Sequence, residues 1–256
     1  MHAILLTRFF KNRADFDEWV QHHLLLGFSH VHVFDNETLF DLESACKKYG
    51  DNVSYEKVEG HVCQYALYEK YIKGCNAEYV MPIDDDEYLS LGPFKSIGEL
   101  MEHFGRPDCF GIRWKYMFPK DFGRVRNVPV LRYCTENDTT ASRFFFGDNG
   151  IKCIVKCSEF VCYMDSVESM RRNHIPVTKT DAGALLWYGR RTTSQTVRDL
   201  KDEPVRLLHC PYKGYDEFLT TRGSDRYGVS RKRAVIRKGK IHFLKWLEAK
   251  YERQTA

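Results

Sequence analysis

The sequence predicts an α/β fold in which a parallel sheet is covered by helices on both faces. Two observations carry this. Between residues 3 and 83 short apolar runs alternate with segments of helical period, and several of the runs end abruptly in polar residues. Residues 3–7 form a run suited to a buried strand. Asp15 and Glu18 resemble a helix-capping pair, followed by Phe16, Trp19, Val20, His23 and Leu24 at helical spacing until Gly27. Residues 30–34 read as a second strand ending at Asp35 and Asn36. Residues 39–49 read as a helix stopped by Gly50, and 53–58 as a third strand. A helix over 62–72 stops at Gly74, and 79–83 is the fourth strand.

The second half has a different pattern. Residues 110–118, 128–133, 151–156 and 160–164 are expected as strands, with a tight turn at Gly147, Asp148, Asn149 and Gly150. There is no repeat, low-complexity tract or evident linker, so a single domain over 1–256 is expected, finished by a helical segment from about Tyr212.

Composition narrows the class. With 256 residues, 43% of them hydrophobic, the chain can bury a full core. No apolar run approaches a membrane span, and the run over 3–6 is too short for a signal peptide, so a soluble cytoplasmic protein is expected. The nine cysteines contain no CxxC pair, which argues against a zinc ribbon and a secreted disulfide frame. The formal charge is only +4, yet residues 230–250 hold eight Lys or Arg against Glu248 alone. Such a stretch can meet phosphates or an anionic membrane surface, or be a solvated helix face. No transmembrane segment and no nucleic-acid partner are expected.

The fourth apolar run ends on Asp84, Asp85, Asp86 and Glu87. Four adjacent carboxylates repel one another, so they either stay hydrated in a loop or surround a cation. In open α/β sheets ligands bind beyond the carboxyl ends of the strands, where these acids fall. On an extended chain Asp84 and Asp86 share a side and Asp85 faces away. Paired carboxylates without nearby sulfur suit a hard ion, Mn²⁺ or Mg²⁺, that keeps positions open for phosphate.

The stretch KNRADFDEWVQHHLLLGFSHVHVFDNET resembles the opening of glycosyltransferase family 92 and the related family-2-like glycosyltransferases. The resemblance continues through Gln64, Cys75 and the IDDDEYL stretch at 83–89, then GIKCIVK at 150–156, and His209 in LLHCPYKGYDEF. It spans roughly residues 3 to 225. Two departures stand out: Cys210 follows the histidine where the family has Tyr, and Asp85 occupies an apolar position of the family's DxD.

The resemblance implies a GT-A, Rossmann-like nucleotide-diphospho-sugar transferase fold with a mixed central sheet and flanking helices. Residues 1–90 would be the nucleotide-binding half, 91–211 the acceptor side and 212–256 a basic helical segment. It is the soluble kind of relative, viral or bacterial, that the chain resembles. The implied activity is metal-dependent transfer of a sugar from a UDP-sugar to a glycan or glycoprotein hydroxyl with inversion, and Mn²⁺ or Mg²⁺ is the implied cofactor. Asp84, Asp86 and His209 would hold the metal, with Arg8, Asn12, Asp35, Asp84 and Lys213 at the nucleotide and Arg222 a further cation for the diphosphate. A base is needed for the acceptor hydroxyl, and Asp148 and His174 are the candidates. Each of these has a plainer alternative. His209 follows the apolar residues 205–208 as a core histidine would, Asp35 and Asp148 suit turns, and Lys213 suits solvent. Two other classes remain: a Mg²⁺-dependent phosphohydrolase or nuclease, and a non-catalytic sugar-binding module.

Overall fold

The structure, a computed structural model, describes residues 3–8, 13–36, 38–59, 64–119, 129–136, 151–163, 173–174, 176–179 and 204–210. The expected turn at 147–150 and the basic helical segment lie outside the described residues. The chain forms two compact units, Met1–Trp114 with Asn149–Leu208, and Lys115–Asp148 with His209–Ala256.

The first unit opens with β1 (Ala3–Arg8), α1 (Arg13–Leu25), β2 (His30–Asp35), α2 (Leu42–Lys47), β3 (Val53–Lys57), α3 (Gln64–Gly74) and β4 (Tyr79–Pro82). The expected alternation is present, with adjusted bounds. The helix α1 begins at Arg13, so Asp15 is a buried first-turn residue and not a cap. Residues 39–41 precede α2, because the Asp41 side chain accepts from the Ser44 N–H and starts the helix there. Two elements between residues 84 and 104 are absent from the sequence-based expectation: β5 (Glu87–Ser90) and α4 (Ile97–His103). Ser96 caps α4 by accepting from the Glu99 N–H at 3.1 Å, while Glu99 accepts from the Lys95 N–H at 2.7 Å.

Strand β6 (Cys109–Pro119) leaves the first unit after Trp114, and its far end pairs antiparallel with β7 (Cys134–Glu136) in the second unit. The expected strand over 128–133 is instead a helical turn, α5 (Val130–Tyr133), begun by Pro129. Proline has no N–H to give a ladder but fits a helix start, and this outweighs the strand preference of valine. The chain returns to the first unit through β8 (Ile151–Lys156), β9 (Phe160–Tyr163), β10 (Asn173–His174), β11 (Pro176–Thr178) and β12 (Arg206–His209), the last ending at the boundary.

The main sheet has the order β3-β2-β1-β4-β8-β6-β12-β5, with β10 beside β8, while β9 and β11 pair separately. Its first four strands are mutually parallel; β8 then runs antiparallel to both β4 and β6. The sheet is therefore mixed. Its parallel half is buried on both faces, as β2 demonstrates. His32 and Phe34 meet the rings of Tyr68 and Tyr71 on α3, while Val31 and Val33 point the other way and are also buried. Ile4, Phe34, Leu67, Tyr68, Ile72, Val80 and Val155 belong to one continuous core cluster. Among the described residues no helix is long and apolar enough to cross a membrane.

Candidate functional site

Beyond β4 the chain turns at once. The Glu87 N–H donates to the Asp84 carbonyl at 3.1 Å, and the Asp84 N–H donates to Glu87 Oε2 at 2.8 Å. Asp85 and Asp86 are thus the corner residues of a tight turn, and Asp84, Asp85 and Asp86 are all half-buried while Glu87 is buried. This corrects the extended-chain argument that set Asp85 apart from its neighbours, because side chains do not alternate through a turn.

Helix α1 holds the segment after the acids. Trp19 Nε1–H donates to the Glu87 carbonyl at 2.8 Å, and His22 Nε2–H donates to the Leu89 carbonyl at 2.7 Å. His23 donates from Nδ1 to the Trp19 carbonyl at 2.8 Å and accepts at Nε2 from the Leu89 N–H at 3.2 Å. Both partners require a neutral His23, and burial pushes its pKa well below the usual histidine value.

On the other side the acids meet a buried cation. Lys152, with none of its side chain exposed, places Nζ 3.0 Å from Asp84 Oδ2 and 3.5 Å from Glu87 Oε2. Burial alone would depress the Lys152 pKa, but the charges of Asp84 and Glu87 outweigh it and the net shift is upward. The Trp114 ring lies 5.8 Å from the same ammonium. The remaining Asp84 oxygen, Oδ1, accepts from Gln64 Nε2 at 3.1 Å. The sheet explains this meeting. β8 runs antiparallel to β4 with Val80 opposite Val155, and continuing that register sets Lys152 level with Ile83, one residue before Asp84.

Register also gathers the other strand ends. Leu6 pairs with Pro82, so Arg8 falls level with Asp84; on its other side Arg8 pairs with Phe34, one residue before Asp35. Asp35 Oδ1 accepts from the Thr38 N–H at 3.2 Å, a turn role, and the side chain stays half-buried. His174 pairs in register with Lys152. The ends of β1, β2 and β4 and the His174 backbone therefore lie in strands around the acid turn. Asn12, Asp148, Lys213 and Arg222 lie outside the described residues. His209 is half-buried at the end of β12 and belongs to the second unit.

No family model matches the chain, and no curated protein matches it. Solved structures do. S. aureus TarS is 14% identical at a TM-score of 0.40, covering 62% of this chain and 29% of its own. S. aureus TarS 1-349 in complex with UDP is 13% identical at 0.41, covering 75% of this chain and 59% of its own. HddC from Yersinia pseudotuberculosis is 11% identical at 0.38, covering 62% and 78%. The chain thus spans less than two thirds of the length of TarS and of its 1-349 fragment, and superpositions this loose do not establish a shared fold.

Among the described residues no three His, Cys, Asp or Glu side chains are grouped to hold a metal ion. The acid turn offers oxygen donors only, and Lys152 offsets one of its four negative charges. That donor set fits a hard divalent ion held by two carboxylates, its other positions filled by phosphate oxygens and water. Sequence reasoning counted Glu87 among the four acids but gave Lys152 no role in the site. One signal for Lys152 was present: a lysine inside the apolar run 151–155 implies a buried charge, and a buried charge implies a counter-ion.

Proposed function

We propose that this chain is a GT-A type glycosyltransferase that moves a sugar from a UDP-sugar to a glycan or glycoprotein hydroxyl, with inversion. The observation that supports this reading is the strand order β3-β2-β1-β4, whose winding reverses between β1 and β4. Nucleotides bind in open α/β sheets at the carboxyl edge of such a reversal, and here that edge carries Arg8 on one side and the acid turn on the other. The resemblance of residues 3–90 to family 92 points the same way.

In this reading Asp86 and Asp84 hold Mn²⁺ or Mg²⁺, whose other positions are left to phosphate oxygens and water. The bound ion supplies positive charge to the departing diphosphate. Asp35 accepts from the base or the ribose, and Arg8, Asn12 and Lys213 face the nucleotide. Gln64 and Lys152 fix both oxygens of Asp84, so its carboxylate is oriented before any ligand arrives. Asp148 or His174 takes the proton from the acceptor hydroxyl as its oxygen bonds the anomeric carbon and the bond from that carbon to the phosphate oxygen breaks. The basic stretch over 230–250 allows peripheral contact with an anionic membrane.

Incubation with a panel of nucleotide sugars and Mn²⁺ tests the class. Slow release of UDP from one donor is the expected result. Cleavage of simple phosphoesters or nucleic acid with every nucleotide sugar left intact would replace the reading with a phosphohydrolase. Binding of glycans without turnover of any donor would replace it with a sugar-binding module.

A further inference from the structure

We propose that Cys75 and Cys157 form a redox-active dithiol, a modification site at which a peroxide makes an intramolecular disulfide. Their sulfurs lie 3.7 Å apart although 82 residues separate them in the chain. Both are free thiols, half-buried against the core cluster that includes Ile72, Val155 and Phe160.

Backbone bonding fixes the approach. Cys75 directly follows α3, its N–H bonded to the Tyr71 carbonyl at 2.9 Å. Cys157 directly follows β8, its N–H bonded to the Glu78 carbonyl at 3.0 Å, with the Lys156 N–H on the Asp108 carbonyl at 2.8 Å. A disulfide has its sulfurs about 2.05 Å apart, so bond formation needs an approach of about 1.7 Å from the 3.7 Å contact.

The two sulfurs are chemically unlike. Hydrogen bonding from Cys157 lowers the Cys75 pKa against the opposing effect of burial, and the Ala77 N–H lowers it further. The Cys157 pKa is raised, first by its bond to Cys75 and then by burial. Either thiol can donate to the other, so either can ionise first, and with Cys75 as the nucleophile Cys157 is the resolving thiol. The Cys75 thiolate attacks one peroxide oxygen, the O–O bond breaks, and a sulfenic acid and hydroxide result. Cys157 sulfur then attacks Cys75 sulfur, the S–O bond breaks, and the Cys157 proton leaves with the hydroxyl as water. Two thiols lose two electrons in all, and one peroxide becomes two waters.

The dithiol and the side chains that hold the acid turn lie on the same two elements. Asp84 is held by Gln64 at the start of α3 and by Lys152 near the start of β8. The dithiol joins the far ends of the same two elements. The proposal itself is independent of the transferase reading.

Treating the full chain with one equivalent of hydrogen peroxide, blocking with N-ethylmaleimide and mapping non-reduced peptides by mass spectrometry tests it. The expected result is a monomer with a Cys75–Cys157 cross-linked peptide, lighter by two hydrogens than its parts and lost on adding dithiothreitol. In Cys157→Ser, Cys75 should stop at the sulfenic acid and be trapped by dimedone. Recovery of both cysteines as maleimide adducts after peroxide, or cross-links that join other cysteines instead, would overturn the proposal on the wild-type chain alone.

Discussion

Lys152 is a buried full charge, and its two carboxylate partners differ: Glu87 is fully buried whereas Asp84 is about a third exposed. Removing the cation leaves Glu87 uncompensated, so Lys152→Met should cost about 3–5 kcal/mol in urea unfolding. Adding Glu87→Gln to that variant should recover much of the loss, because a neutral amide no longer needs the ammonium. Losses that simply add would mean that the pair is not coupled. His32 makes a second test. Its Nδ1 lies 2.8 Å from Ser54 Oγ, its ring stacks on Tyr71, and burial lowers its pKa from 6.5 to about 4. The unfolded chain takes up this proton at higher pH than the folded one. Its contribution is therefore intact above pH 6.5 and lost as pH falls toward 4, by about 3 kcal/mol at most. Melting temperatures measured across that window should fall for the wild type and fall less steeply for His32→Phe. At this scale the sequence was legible one residue at a time. The lysine in an apolar run and the run of acids could both be read, but their pairing spans 68 residues and depends on strand register.

Among the elements, the parallel half was legible because each strand is a short apolar run and the helices between end at Gly27, Gly50 or Gly74. The strand β5 was hidden because its first residue is the last of the acids, and burial of Glu87 comes from Lys152 and not from its own apolarity. The capping pair Ser96 and Glu99 that starts α4 was readable in principle. The bend between β5 and α4 depends on Gly92, whose φ is +59°, and a Cβ there would stand 2.6 Å from Pro204 Cβ and 3.0 Å from the Pro204 carbonyl carbon. Gly92→Ala should lower stability by about 2–4 kcal/mol, combining backbone strain with overpacking. Gly105 has φ +73° with nothing within 4 Å of a Cβ, so Gly105→Ala should cost only the strain, about 1–2 kcal/mol. Equal losses in the two variants, read from denaturant melts, would remove the Pro204 contact from the account.

For the whole molecule, the strand order reverses between β1 and β4, and the proposed function places a nucleoside diphosphate at that reversal, beside the acid turn. The alternation of runs implied parallel strands, but the order in which they lie, the antiparallel insertion of β8 and the resulting place of Lys152 come from tertiary pairing that no local pattern encodes. The measurement that reaches this reading most directly is calorimetry of UDP with the full chain, in Mn²⁺ and in excess chelator, repeated on Asp86→Ala. Binding should weaken at least tenfold, about 1.4 kcal/mol, when the metal is removed. Asp86→Ala should lose the metal dependence at unchanged melting temperature. Equal UDP affinity with metal and with chelator would contradict the metal site, and no UDP binding under either condition would contradict the nucleotide's place at the reversal.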